Sequence, residues 1–164
     1  MTAEHDLGHL YRSHITMIRR RCRRIVGDEP MADDLAQDVF VTYAEKYGAG
    51  PSPERAGALL YAMATNRAIN ALRDGRRRRE LLAAEGPAAE AGPAAPSDAG
   101  IDVRRVLAHV DPELAAIAVY YYVDGMDQDE IADVTALHRR TVSRRIEAFR
   151  EAAQRLFAKP AVAL

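Results

Sequence analysis

The sequence predicts an all-α protein of two small helical domains joined by a flexible linker, with a helix-turn-helix at the end of the second domain. Three observations support this prediction. Apolar residues recur three and four positions apart over long stretches before residue 80 and after residue 100. Residues 81–100 lose this periodicity and combine alanines with Gly-Pro and Ala-Pro steps. Residues 126–157 form two amphipathic segments separated by a short turn.

Length and composition limit the class of protein. A chain of 164 residues with 48% hydrophobic content can bury one moderate core or two small ones. The formal charge of −1 argues against a non-specific polycation and for local basic faces. Cys22 is the single cysteine, which excludes an internal disulfide and fits a reducing cytosol. The sequence lacks an apolar run of membrane-spanning length and a secretory pattern, so we expect a cytoplasmic protein without membrane insertion.

The first helix is expected over residues 6–26. Its core positions, at helical spacing, are Leu7, Leu10, Tyr11, His14, Ile18, Cys22 and Ile25. A run of arginines is expected on its outer faces, at Arg19, Arg20, Arg21, Arg23 and Arg24. These arginines either contact nucleic acid or stay solvated beside neighbouring acids. His5 and His9 lie four apart, but no other ligand-type residue stands at matching spacing, so no metal site is expected.

The second helix is expected from about Met31 to Tyr47. One arc carries the core positions Ala32, Leu35, Ala36, Val39, Phe40, Tyr43 and Tyr47. The far side carries Asp34, Gln37, Asp38 and Val41, together with Glu45. An acidic face with a valine in it either serves solubility alone or docks against a basic partner surface.

A third, long helix is expected over residues 55–79, after a loop at Gly48–Pro53. Beside its core arc runs a polar stripe of Asn66, Asn70, Arg73 and Arg77. The helix ends in four arginines, Arg76–Arg79, which suit a helix C-terminus and also a phosphate contact. The asparagines could be ordinary surface residues. We favour contact with nucleic acid, because asparagine forms helices poorly and these two align with arginines.

The second domain is expected at residues 101–160, after a first domain at 1–80 and the linker at 81–100. Asp111 and Pro112 predict a helix start, and Gly125 ends that helix. The helix-turn-helix follows, with helices at 127–134 and 139–157 and a turn at 135–137. Several arginines lie at the start of its last helix, where acidic side chains would stabilise the helix through its dipole. This order favours entry into a DNA major groove over an ordinary helical hairpin whose arginines are solvated or pair with Glu147 and Glu151.

The order of these elements resembles a sigma factor of the extracytoplasmic-function (ECF) group of bacterial RNA polymerase. The segment MADDLAQDVFVTYAEKYG resembles the part of the family that grips the clamp helices of the polymerase. LLYAMATNRAINALRDGRRRRE resembles the part that melts and reads the minus-ten promoter element. The stretch from Val110 to Leu156 resembles the domain that reads the minus-thirty-five element. The resemblance implies recruitment of polymerase rather than catalysis.

The resemblance also implies a role for particular residues. Polymerase contact would fall on Asp34, Gln37, Asp38 and Val41. Minus-ten contact would fall on Asn66, Arg67, Asn70, Arg73, Arg76 and Arg77, with the Gly48–Pro53 loop holding an extruded base. Minus-thirty-five contact would fall on His138, Arg139, Arg140, Thr141, Ser143, Arg144 and Arg145. The implied partners are core RNA polymerase and promoter DNA, and family members are commonly held inactive by an anti-sigma factor.

The chain departs from the family in ways that indicate a divergent member. It has no Trp, which the family usually places just ahead of the minus-ten helix, and Asn70 replaces the usual Asp. Two other functions remain open: a helix-turn-helix regulator that acts without polymerase and uses only residues 101–157, and a sigma-like adaptor or decoy. An enzyme is not expected, and no cofactor is implied, because the sequence shows no His-Asp-nucleophile set, glycine-rich phosphate loop or metal cluster.

Overall fold

The computed structural model describes residues 7–48, 53–86 and 98–158. All secondary structure in this part of the chain is helical, so the all-α prediction is confirmed. The helices are α1 (Leu7–Val26), α2 (Glu29–Tyr47), α3 (Pro53–Glu85), α4 (Asp98–His109), α5 (Pro112–Ala118), a π-helical segment (Val119–Val123), α6 (Gln128–Thr135) and α7 (Arg139–Phe157). The chain forms two compact units that divide between Gly75 and Arg76, within α3, and each is described by itself.

A short junction connects α1 to α2. Gly27 takes a positive φ of 77°, which glycine adopts without the steric penalty of a Cβ, and ends α1. Asp28 then caps α2, since its Oδ1 accepts a hydrogen bond from the Met31 backbone N–H at 2.8 Å. Pro30 lies in the first turn, where its missing N–H has no cost. The helix therefore begins two residues before the predicted start at Met31, and α1 and α2 pack against each other.

The core of the first unit comes from one face of each of its three helices. Fully buried side chains include Ile18 and Cys22 from α1, Val39 and Tyr43 from α2, and Leu60, Ala64, Ala68 and Ile69 from α3. Burial raises the pKa of the Cys22 thiol to about 11, so the thiol stays protonated at neutral pH.

Two predictions about α1 are wrong. Leu7 and Tyr11, expected in the core, are 44% and 39% exposed. The Tyr11 ring still packs edge-on against Phe40, with centroids 4.8 Å apart. Arg21, expected on an outer face, is only 3% exposed. At 100° per residue it lies about 40° from Ile25 and about 60° from Ile18, at the edge of the buried arc of the helix.

Helix α3 is longer than the sequence pattern predicts. It begins at Pro53 and continues to Glu85, six residues past the predicted end at Arg79. Leucine and alanine at positions 81–84 are strong helix formers, and they extend the helix although Leu81 and Leu82 are exposed. Helix α4 likewise begins at Asp98. The ends of the predicted linker are thus helical, and its residues 87–97 lie outside the described part of the chain.

The core of the second unit comes from helices α4 to α7. Its most buried side chains include Ile117, Val119, Ile131, Val142 and Ile146. The π-helical segment, which the sequence does not predict, follows α5 directly and ends with the Asp124 N–H bonded to the Val119 carbonyl. Its wider turn buries Tyr120 and leaves Tyr122 half exposed beside Phe149, with ring centroids 6.0 Å apart.

Candidate interaction surfaces

The acidic face of α2, formed by Asp34, Gln37, Asp38 and Val41, is exposed along its whole length. These residues recur at i, i+3, i+4 and i+7, which places them on one side of a helix whose other side is buried. Val41 is 55% exposed although it is apolar. Asp34 forms no ion pair with any residue that the structure describes. The face is therefore available to a partner that offers positive charge around a small apolar contact.

The polar side chains along α3 fall into two groups, exposed and half-buried. Asn66, Asn70 and Arg77 are exposed. Arg73 and Arg76 are half-buried, and the Nε atom of each is buried without a hydrogen-bond partner in the described part of the chain. Arg76 also pairs with Glu80, with 2.9 Å between Nη1 and Oε1. Asn66, Asn70 and Arg77 are thus the exposed hydrogen-bonding side chains of the polar stripe, and the two asparagines lie one helical turn apart.

Arg67, also predicted to contact DNA, is bound to α2. Its Nη2 donates a hydrogen bond to Thr42 Oγ1 at 3.0 Å and lies 4.0 Å from Asp38 Oδ2. The side chain remains 45% exposed. A residue assigned to the minus-ten contact therefore touches a residue assigned to polymerase contact, which the sequence alone does not indicate.

The buried Arg21 connects α1 to α3 and was missed by sequence reasoning. Its Nε donates a hydrogen bond to Thr65 Oγ1 at 3.0 Å, and Thr65 is itself fully buried. Thr65 lies one residue before Asn66, so this contact helps to hold the rotation of α3 that exposes the asparagines. Arg21 lies three residues after Ile18 and four before Ile25, a spacing that predicts a buried position. Its place within a run of arginines instead led to the prediction of an exposed position.

The helix-turn-helix is built by local capping as much as by packing. Asp127 Oδ1 accepts hydrogen bonds from the N–H groups of Asp129 and Glu130, and Glu130 reaches back to the Asp127 N–H at 2.8 Å. This capping box begins α6 one residue after the predicted start. Ala136 ends it in the left-handed region, with φ 54° and ψ 32°. The connection covers residues 136–138, one residue later than the predicted turn, because Thr135 remains in α6, and the α7 start at Arg139 agrees with the prediction.

The basic end of α7 comprises His138, Arg139, Arg140, Thr141, Ser143, Arg144 and Arg145. His138, Arg139, Arg140, Ser143 and Arg144 are exposed, and Thr141 and Arg145 are half-buried. The opposite side of the helix buries Val142, Ile146 and Phe149. The helix therefore presents its first two turns outward while its apolar side fixes its position in the unit.

Ion pairs separate these arginines into two groups. Arg139 Nε lies 3.2 Å from Asp129 Oδ1 on α6, and Arg145 pairs with Glu113 on α5. Glu147, which the hairpin interpretation assigned to the early arginines, pairs instead with Arg150. Arg140 and Arg144 form no ion pair within the described residues. These two guanidinium groups are the ones that a ligand would meet without displacing an intramolecular partner.

Other predicted features lie partly outside the described chain. Residues 49–52 of the predicted base-holding loop and His5 of the histidine pair are not described. Within the described ranges, no cluster of three or more His, Cys, Asp or Glu side chains could hold a metal ion. No helix of those ranges combines the length and the apolar character needed to cross a membrane.

Comparison with known proteins gives a family match for one segment and a similar fold for the chain. Residues 10–78 match the sigma-70 region 2 family, a segment that contains the acidic face of α2 and the polar stripe of α3. No curated protein matches the sequence. Among solved structures, the fold is similar to that of the sigma factor RpoE from Bartonella quintana in complex with the anti-sigma factor NepR, with a TM-score of 0.53 and 17% identity over 93% of this chain and 97% of that one. Residues 10–78 therefore form a sigma-70 region 2 segment, and the chain shares its fold with a solved sigma factor.

Proposed function

We propose that this protein binds core RNA polymerase and directs transcription initiation at promoters that it reads at their minus-ten and minus-thirty-five elements. The observation that carries the proposal is the sigma-70 region 2 match over residues 10–78. Two exposed surfaces with different chemistry lie within that match, one acidic and one rich in asparagine. The chain acts by recruitment and positioning, and makes or breaks no covalent bond.

The acidic face of α2 is the proposed polymerase contact. Asp34 and Asp38 offer two carboxylates one turn apart, with the exposed Val41 beside them. Complementary charge on the clamp helices would set the register and the association rate, and Val41 would supply apolar contact that excludes water. Gln37 lies between the carboxylates and can donate as well as accept hydrogen bonds.

The polar stripe of α3 is the proposed minus-ten contact. Asn66 and Asn70 each carry a donor and an acceptor, which suits the Watson–Crick edge of an unpaired base. Base contacts of this kind offset the cost of unstacking a base from the duplex. Arg77 is exposed on the same stripe and suits a phosphate. The Gly48–Pro53 loop is assigned to an extruded base by resemblance alone.

The basic end of α7 is the proposed minus-thirty-five contact, placed in the major groove. Arg140 and Arg144 are exposed, lie one turn apart and form no described ion pair, so they are the candidates for bidentate contact with guanine. Arg139 and Arg145 are partly neutralised by Asp129 and Glu113 and are better suited to phosphate contact or to holding the helix.

An anti-sigma partner is a further part of the proposal. The solved sigma factor of similar fold is bound to the anti-sigma factor NepR. We propose that this chain is also held inactive in the cytoplasm by a protein of that class.

Run-off transcription with core polymerase tests the proposal. The full chain should direct transcripts from specific fragments of a promoter library, and Asp34→Lys combined with Asp38→Lys should abolish them by preventing polymerase binding. Glu29→Lys, at the exposed start of the same helix and about 140° around it from Asp34, is the matched control and should retain the transcripts. Duplex binding by the protein alone, without polymerase-dependent transcripts, would favour a regulator. Polymerase binding without any transcript would favour an adaptor or decoy.

A further inference from the structure

One side chain joins the two surfaces that the proposed function assigns to different partners. Arg67 lies on α3 next to Asn66, and its guanidinium crosses to α2, where it donates to Thr42 Oγ1 at 3.0 Å and lies 4.0 Å from Asp38 Oδ2. Asp38 belongs to the acidic face, while Arg67 follows directly on the first asparagine of the polar stripe. The guanidinium cannot satisfy α2 and a DNA phosphate with the same N–H groups.

We propose that Thr42 is a positioning residue that holds Arg67 against α2 in the free protein, and that polymerase contact at Asp38 releases Arg67 toward DNA. The inference rests on the proposed function and deepens it, because it connects the polymerase site to the minus-ten site through one named contact. Thr42 supplies the hydrogen-bond acceptor, and Asp38 supplies the charge that keeps the guanidinium nearby.

The strength of this contact suits a release step. Both charged side chains are largely solvated, with 45% exposure for Arg67 and 62% for Asp38. Pairs of this kind are weak, so a polymerase cation that competes for Asp38 removes most of the attraction. The remaining hydrogen bond is made to an uncharged acceptor, Thr42 Oγ1, at an exposed position where water competes for the guanidinium. Arginine keeps its charge throughout, so the freed group remains a phosphate ligand.

Coupling of this kind is reciprocal. If polymerase contact at Asp38 increases the affinity of the chain for the minus-ten strand, DNA contact at Arg67 must increase polymerase affinity by the same factor. Removal of the acceptor on α2 should reproduce part of the polymerase effect in the free protein.

The test uses the full-length chain without polymerase and a short fluorescein-labelled single-stranded oligonucleotide rich in A and T. Thr42→Val, which preserves shape and removes the acceptor, should bind the oligonucleotide about twofold to fivefold more tightly than wild type in fluorescence anisotropy, as loss of one exposed hydrogen bond predicts. Asp38→Asn should act in the same direction. Arg67→Ala should remove the gain, so Thr42→Val with Arg67→Ala should bind like Arg67→Ala alone. Thr16→Val, the same change on the exposed side of α1, is the matched control.

Three results would overturn the inference, and they are distinguishable. If Thr42→Val and Asp38→Asn both bind like wild type while Asn70→Ala weakens binding, the release step fails and the minus-ten assignment survives. If Asn70→Ala has no effect, or no form of the protein binds, the minus-ten part of the proposed function fails together with the release step. A gain in Thr42→Val that persists after Arg67→Ala would show that another group is responsible and would also overturn it.

Discussion

The guanidinium of Arg21 lies over the ring of Tyr61, 4.3 Å from its centroid, and so stacks a cation from α1 on an aromatic face of α3. The contact lies beneath the helix that carries Asn66 and Asn70. A buried arginine is costly unless its donors are satisfied, and here α3 supplies both an acceptor, at Thr65, and a π-face. The same contact therefore contributes to the stability of the first unit and to the orientation of its proposed DNA-facing helix.

Removing Arg21 should destabilise the first unit strongly. Arg21→Ala leaves a cavity and loses the contacts with Thr65 and Tyr61, so we expect a loss of about 2–4 kcal/mol in unfolding free energy. Arg21→Met restores most of the volume and should recover part of this loss. Urea unfolding measures the effect, and hydrogen exchange of α1 and α3 amides locates it. Arg20→Ala, on the exposed side of the same helix, should change stability by less than about 0.5 kcal/mol, and an equal effect of the two alanine variants would contradict the prediction.

Ala136 should accept glycine with a gain in stability. Its φ of 54° lies in the left-handed region, which an L-residue with a Cβ adopts at a cost of about 1 kcal/mol. Ala136→Gly should therefore raise the unfolding free energy of the second unit by about 0.5–1 kcal/mol, after its greater freedom in the unfolded chain is included. Thermal unfolding measures the gain. Ala132→Gly, inside α6, is the control and should lose about 1 kcal/mol; stabilisation by both would show that the turn conformation is not the cause.

Arg144 and Arg145 should differ in their effect on DNA although they are neighbours. Arg144→Ala should weaken binding to the minus-thirty-five element by about 1–3 kcal/mol and relax base preference, if its contact is bidentate to a base. Arg145 is paired with Glu113, with a side chain only 28% exposed, so Arg145→Ala should affect DNA less and stability more. Gel shifts of polymerase complexes on promoters found by run-off transcription measure both. Equal loss on every sequence would make Arg144 a phosphate contact, and a larger loss in Arg145→Ala would reverse the assignment.

The pKa of Asp33 should depend on Arg19. Arg19 donates to both carboxylate oxygens, from Nε at 2.6 Å and from Nη2, and these hydrogen bonds lower the pKa of Asp33 below its ordinary value of 3.8. The pair therefore stabilises the folded chain at pH values above the pKa of Asp33 in the unfolded chain. This contribution is lost as the pH falls through the lower pKa of Asp33 in the folded chain. Arg19→Ala should return the pKa of Asp33 toward 3.8 in an NMR titration. Arg20→Ala is the control and should leave the pKa of Asp33 unchanged. An unchanged pKa of Asp33 in Arg19→Ala would contradict the prediction.

Local signals in the helix-turn-helix were sufficient to predict its elements closely. The predicted second helix, 139–157, is α7 as observed, and the first is displaced by one residue because Asp127 serves as the cap. Caps and turns act over three or four residues, so their chemistry is readable from the chain. The same kind of reading failed after Arg79, because a run of leucine and alanine continues a helix without any amphipathic pattern.

The amino-acid sequence by itself determined the all-helical class, the two-sided pattern of α2 and α7, and the order of surfaces along the chain. Only the tertiary structure decided which arginines are free: Arg21 is buried against α3, Arg67 is held on α2, and Arg139 and Arg145 are paired, whereas Arg140 and Arg144 have no described ion-pair partner. The physical reason is the range of the forces. Periodicity and capping depend on neighbours within about one helical turn, while the partner of a long cationic side chain is chosen by packing between helices that are distant in sequence.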